Sequence, residues 1–147
     1  MKIFFLIPMV VCTMILKAQV VPFYSASNDK YGYKNVKGEV VIVPKYDLAY
    51  PVEEGMAAFR QDGKYGYVDK NGKEIVSPKY DQTWKFIGGY AAVSLGGKIG
   101  FIDQKGKVVV PLIYENGYNY HGACCYKGMA HVKMNGKWKV IRINSGQ

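Results

Sequence analysis

Five carboxylates hold comparable places along the 147-residue chain: Asp69 and Asp103, and Asp47, Asp81 and Glu115. Paired carboxylates suit general acid–base work, one giving a proton while the other takes one. Such a pair needs a single site and two unlike environments. These five recur once per repeat at turn positions, where a side chain that bonds nearby backbone amides accounts for each copy. A structural role is therefore expected. A second constellation is His121, Cys124, Cys125 and His131. Imidazole and thiolate are zinc donors, but zinc-site cysteines are usually separated by about two to four residues and these two are adjacent. The expected reading is a buried structural thiol at Cys125, in the slot that Val52 and Phe86 fill earlier, and an exposed imidazole at His131, in the slot of Ala58 and Ala92 on an outer face. A strained vicinal disulfide, or a thiol paired with another chain, is the alternative. There is no Gly-rich phosphate loop leading into a helix, no Gly-x-Ser-x-Gly elbow and no paired-histidine helix. No catalytic, cofactor or metal residue is assigned, and the chain is not expected to be an enzyme.

What positions these residues is a repeat. The stretches KYGYKNVKGEVVIVPKYD, KYGYVDKNGKEIVSPKYD and KIGFIDQKGKVVVPLIYE begin at Lys30, Lys64 and Lys98, and a shorter copy begins at Lys137, giving spacings of 34, 34 and 39. A fixed period in this range signals a repeat array. Gly38, Gly72 and Gly106 recur in register, as do Tyr46, Tyr80 and Tyr114. Pro44, Pro78 and Pro111 also recur, but Pro111 falls one residue early, which reads as a residue lost from the third copy.

Each unit reads as three short strands. The first is MAAFRQ (56–61), matched by YAAVSL (90–95) and MAHVKM (129–134), with Ala57/Phe59, Ala91/Val93/Leu95 and Ala130/Val132/Met134 on one apolar face. Period two with one oily face predicts a half-buried strand. Asp62-Gly63, Gly96-Gly97 and Asn135-Gly136 then supply two-residue hairpin turns. In the second strand Tyr65 and Tyr67 share one face, and Gly66 marks close approach of another group, expected to be a ring of the neighbouring unit. Asp69 to Gly72 and Asp103 to Gly106 predict a type I turn closed by a left-handed glycine. The third strand is expected to end at the proline, which cannot donate to a ladder. The fold class is thus all-β. It is read as an open twisted array of antiparallel three-stranded β-meander repeats, β-solenoid-like, each covering its neighbour, with a propeller-like arrangement as the alternative.

These residues resemble the WG, or KWG, repeats of bacterial proteins: Lys-aromatic-Gly-aromatic, Ile/Val-Asp, x-x-Gly-Lys, a β run, Pro, then Tyr-Asp. The likeness covers roughly residues 30 to 143. The signature tryptophan stands only at Trp138, where Lys139 replaces the glycine; Tyr31, Tyr65 and Ile99 fill the other copies. The resemblance implies a β-rich repeat scaffold and supplies no catalytic residues.

The amino end, MKIFFLIPMVVCTMILKAQ, has Lys2, an apolar run from Ile3 to Leu16, and Leu16 and Ala18 before a cut ahead of Gln19. This is the layout of a secretory signal peptide over 1–18, and the run is short of the roughly 20 residues of a transmembrane span. Residues 19–29 are read as an N-terminal linker and 30–147 as the repeat domain. Without residues 1–18 the formal charge falls from +9 to about +7. In an exported protein, periplasmic, cell-surface or secreted, that excess points to anionic envelope polymers rather than nucleic acid, or simply to solubility. Lys30, Lys64, Lys98 and Lys137 form one row, and Lys73 and Lys107 another, suited to a polyanion or to keeping edge strands soluble.

The repeat is broken once. Tyr114 to Gly128 spans 14 positions, whereas Tyr46 to Gly55 and Tyr80 to Gly89 each span 9. Insertions in repeat proteins map to loops on one face, often the binding face. Tyr118, Tyr120, His121 and Tyr126 are the candidate binding residues. The functional expectation is a non-catalytic exported scaffold binding a protein partner, with a cell-wall glycan or other anionic polymer as the alternative ligand and no cofactor.

Overall fold

The computed structural model describes residues 19–115, 124–126 and 128–143, and every regular element among them is a strand. The leader expected over 1–18 lies outside the described residues. β1 (Val21–Ser25), β2 (Lys30–Lys34) and β3 (Val40–Tyr46) form a first sheet in that order. β4 (Leu48–Ala49), β5 (Met56–Gln61), β6 (Lys64–Asp69) and β7 (Glu74–Tyr80) form a second. β8 (Gln82–Thr83), β9 (Tyr90–Leu95), β10 (Lys98–Asp103) and β11 (Val108–Glu115) repeat that pattern. To them are joined β12 (Cys124–Tyr126), β13 (Met129–Met134) and β14 (Lys137–Arg142), through a single residue pair between β11 and β13, Glu115 with Lys133. Every pairing is antiparallel, and none of the sheets closes on itself.

Residues 21–25, read from sequence as linker, are a strand. β1 pairs along its whole length with β2, so the first unit has its full three strands. Asp62-Gly63 and Asn135-Gly136 have φ of 50° and 78°, and 53° and 72°, the mirror-image turn that matches the right-handed twist of the flanking strands.

The third strand does not end at its proline. β7 continues through Pro78 to Tyr80, because Tyr65 pairs with Tyr80 while Tyr67 pairs with Val76, leaving Ser77, Pro78 and Lys79 bulged opposite Gly66. A bulge is one of the few places in a sheet that tolerates a residue without an N–H. The same jump recurs at Tyr31–Tyr46 with Tyr33–Ile42, and at Ile99–Tyr114 with Phe101–Val110. Its constancy corrects the supposed deletion in the third copy. Leu112 occupies the bulge position of Pro44 and Pro78, Pro111 takes the place of Val43 and Ser77, and no residue has been lost.

The bulge also explains the strand glycine. A methyl group built on Gly100 would lie 2.5 Å from the carbonyl oxygen of Val110 and 2.9 Å from the nitrogen of Leu112. Gly32 and Gly66 face Ile42 O and Val76 O just as closely. What approaches is backbone of the same unit, with the Phe59 ring from the adjacent β5 at 2.7 Å from the Gly66 position, and not a ring of the next unit.

The core lies between successive repeat units. Val20, Tyr33 and Tyr46 pack with Ala57, Phe59 and Val68; Met56, Tyr67, Val76 and Tyr80 with Phe86, Ala91, Val93 and Ile102; Ala92, Ile99, Phe101 and Val110 with Ala130, Val132 and Ile143. An inner strand is therefore covered twice. Ala91 and Val93 of β9 look back to the second sheet while Ala92 looks forward, and all three are fully buried. This corrects the expectation of one oily face. Alanine on both faces lets sheets close in on each side, and the MAA and YAA runs make that possible.

Candidate functional site

The five carboxylates are the first candidates, and each has partners that hold the fold. Asp69 Oδ1 accepts from the amides of Asn71 and Lys73 at 2.8 and 2.9 Å, and Asp103 Oδ1 from Lys105 and Lys107 at 2.9 Å each. These are side-chain-mimicked turns. Asn35 does the same in the first unit. Asp47 and Asp81 stand at corners between units. Asp47 accepts from Lys30 Nζ through Oδ1 and from the Asp62 amide through Oδ2, 2.8 Å away. Asp81 accepts from Lys64 Nζ and, at 2.8 Å, from the Gly96 amide. Each corner carboxylate thus ties the lysine of its own unit to the hairpin tip of the next. Glu115 keeps the second half of this pattern, accepting from the Gly136 amide at 3.1 Å. The Lys30 ammonium beside Asp47 holds that carboxyl below its ordinary range, and Lys64 does the same for Asp81.

Two of the four lysines in the long row are therefore ion-paired, Lys30 with Asp47 and Lys64 with Asp81. The row is not a simple ladder of open cations.

Sequence reading missed three further ties between units. Tyr33 donates to the carbonyls of Tyr50 and Ala58 in the second unit, at 2.9 and 3.1 Å. Tyr67 donates to Trp84 O in the third, at 2.7 Å. Burial raises both phenols well above the usual tyrosine range, and raises Tyr46 to about 12. Glu54 accepts from the Gly88 and Gly89 amides at 2.9 and 2.8 Å, one repeat further on. The signal was present in the offsets: Tyr33 to Tyr50 and Tyr67 to Trp84 are both 17 positions apart, and Glu54 to Gly88 is one full period of 34. The third copy of the tyrosine clamp is absent. Phe101 stands there, fully buried and with no hydroxyl to donate.

That loss falls in the unit that precedes the insertion. Tyr118, Tyr120 and His121 lie outside the described residues. Tyr126 lies on β12, the strand that pairs with β13, as do Cys124 and Cys125. His131 is exposed on β13. Among the described residues no group of three or more His, Cys, Asp or Glu side chains is placed to hold a metal. No helix among them is long and apolar enough to cross a membrane.

The geometry reduces to one device: an aromatic or aliphatic residue, a glycine that admits a bulge, and a lysine and corner carboxylate that dock the next hairpin. A family model for the WG containing repeat matches residues 31–65, 65–98 and 99–138. The chain belongs to the WG containing repeat family. In WG-repeat terms the matched segments begin at Tyr31, Tyr65 and Ile99, the residue before the strand glycine, and the bulge states why the second letter is glycine. No match is found among curated proteins or solved structures.

Proposed function

We propose that this WG-repeat chain is a non-catalytic, exported scaffold of a bacterial envelope that binds a protein partner through residues 116–126. The observation that carries this reading is the coincidence of two departures from the repeat. The clamp made by Tyr33 and Tyr67 is missing at Phe101, and five extra residues enter the next corner. A corner that is longer in sequence and follows a unit without the tyrosine donor is the natural place for a binding loop on a repeat scaffold. The carboxylates that would serve acid–base chemistry are engaged with backbone amides and lysines, which favours a scaffold over an enzyme. Export rests on the leader-like composition of residues 1–18.

The alternative ligand, an anionic glycan or cell-wall polymer, draws on the lysine rows. The ion pairs of Lys30 and Lys64 weaken it. Affinity capture from solubilised envelope extract, with the chain from residue 19 compared with one lacking residues 116–120, tests the proposal. A protein retained by the first, lost by the second and indifferent to salt is expected. Retention of a polyanion that is released by salt would favour the alternative. Equal retention by both chains would remove the insertion from the account.

A further inference from the structure

The third strands of the repeat share one backbone path and differ in what they show to solvent. β3 and β7 are each the outermost strand of their sheet, so among the described residues one flank of each has backbone donors and acceptors that no neighbouring strand takes. Folded sheets blunt such a flank with charged side chains. β7 does so, since its exposed residues are Glu74, Ser77 and Lys79.

β3 has lost that protection. Val40 stands where β7 has Glu74 and Val43 where it has Ser77. Val40, Val41 and Val43 are 55%, 42% and 67% exposed. Successive side chains of a strand point to opposite faces, so exposed valine is present on both faces of β3. No charge falls between Glu39 and Lys45, and neither of these two takes part in an ion pair among the described residues. β11 is apolar as well, with Val108 and Ile113 exposed, but its end is already joined to β13 by the pair Glu115 with Lys133.

We propose that β3 pairs antiparallel with β3 of a second copy of this chain. The order of acid, apolar run and base is self-complementary: reversing the second strand sets Glu39 of each copy toward Lys45 of the other and valine against valine. β-branched side chains suit such cross-strand contacts. A partner segment with charges along this run would bury them against valine without an opposite charge, which a second β3 does not do. The first sheets of two copies then make one sheet of six strands, in the order β1-β2-β3-β3-β2-β1. The bulge over Val43 to Lys45 bends the strand and keeps the paired stretch short, so the dimer is weak and reversible. The contact is isologous, so each β3 is used once and assembly stops at two. This surface is independent of the insertion at 116–126.

Sedimentation velocity of the protein expressed from its full sequence, between about 1 and 200 μM, is expected to show a monomer–dimer equilibrium. Val40→Glu with Val43→Ser gives β3 the residues that β7 carries in a folded unit, and should weaken the dimer at least about tenfold. Glu39→Lys alone and Lys45→Glu alone should each weaken it, because each sets like charges together, and the two combined should restore it. If the valine variant fails to fold by circular dichroism, this charge exchange decides the matter. A monomer at every concentration, assemblies that grow beyond two, a dimer indifferent to the folded valine variant, or a charge exchange that does not restore association would overturn the proposal. So would a dimer that Val108→Glu abolishes and the β3 substitutions spare, which would place the contact on β11.

Discussion

β6 and β14 are the same strand of the repeat in two surroundings. β6 is flanked by β5 and β7, its Gly66 lies under the Val76 carbonyl, and its Tyr67 is covered by the next unit at 1% exposure. β14 has β13 on one edge, Lys139 at the glycine position, and Val140 in the slot of Tyr67 with half its surface exposed. The contrast teaches that closure of a unit depends on one residue having no side chain. Covering of a unit depends on the next sheet being there. Repeat proteins are stable as a sum of such neighbour interfaces.

The largest break in this comparison is a side chain at the glycine. Gly66→Val should lower unfolding free energy by about 3 kcal/mol or more, since the added atoms meet backbone that cannot rotate away. Lys139→Val should change it by about 0.5 kcal/mol or less. Denaturant titration of the two variants measures both.

Next come the glycines of the second hairpin. Gly72 and Gly106 have φ of +83° and +79°, and a methyl group at these positions would meet Val41 at 2.7 Å and Val76 at 2.8 Å in the preceding unit. Gly38 has φ of +88° with nothing within 4 Å. Valine at Gly72 or Gly106 should cost about 2–3 kcal/mol, combining left-handed strain with the clash. Gly38→Val should cost roughly half of that, from strain alone. Equal losses at Gly38 and Gly72 by thermal melting would show that contact between units contributes nothing there.

Alkaline pH sharpens the comparison from the side of the buried strands. Tyr33, Tyr46 and Tyr67 have folded-state pKa values raised above the unfolded value of about 10. Their contribution is whole below pH ~10 and is lost as pH rises toward the folded values, by up to about 1.4 kcal/mol per tyrosine per pH unit. Tyr67→Phe should flatten that slope by one group, while costing about 1 kcal/mol near neutrality for the lost bond to Trp84 O. Denaturant titrations between pH 9 and 12 read the slope.

The smallest effect is at the corners. Asp47 and Asp81 have depressed folded-state values, so their contribution is present above pH ~4 and falls away as pH drops through the folded values. Both pairs are solvated, and exposed ion pairs contribute little. Asp81→Asn should make the low-pH limb of the stability profile slightly shallower, measured by acid titration of circular dichroism.

Much of this fold was legible because its turns are written in local chemistry. Asp62-Gly63, Asn135-Gly136 and the Asp69 to Gly72 corner place hairpins without knowledge of partners. The bulge was not legible, because it belongs to a pair of strands and not to either alone. Taking the proline as a strand end hid Tyr46, Tyr80 and Tyr114 as pairing residues, and letting Pro111 set the alignment created a deletion that Gly106 to Tyr114 does not have. Reading β5 and β9 as one-faced undervalued Ala58 and Ala92, whose small side chains face a second neighbour. β1 escaped notice because Pro22 and the Ser-Ala-Ser-Asn tract after Tyr24 look like linker. The candidate site was legible only as a break in spacing, since a binding loop has no period of its own.

Hydrogen exchange of β6 and β14, measured in the same sample, tests the central claim most directly. If closure by a bulged third strand separates inner units from the last, amides of Tyr67 and Val68 should exchange at least about tenfold more slowly than those of Val140 and Ile141. Equal protection of the two strands would contradict the account, because β14 would then have a strand on its second edge despite Lys139.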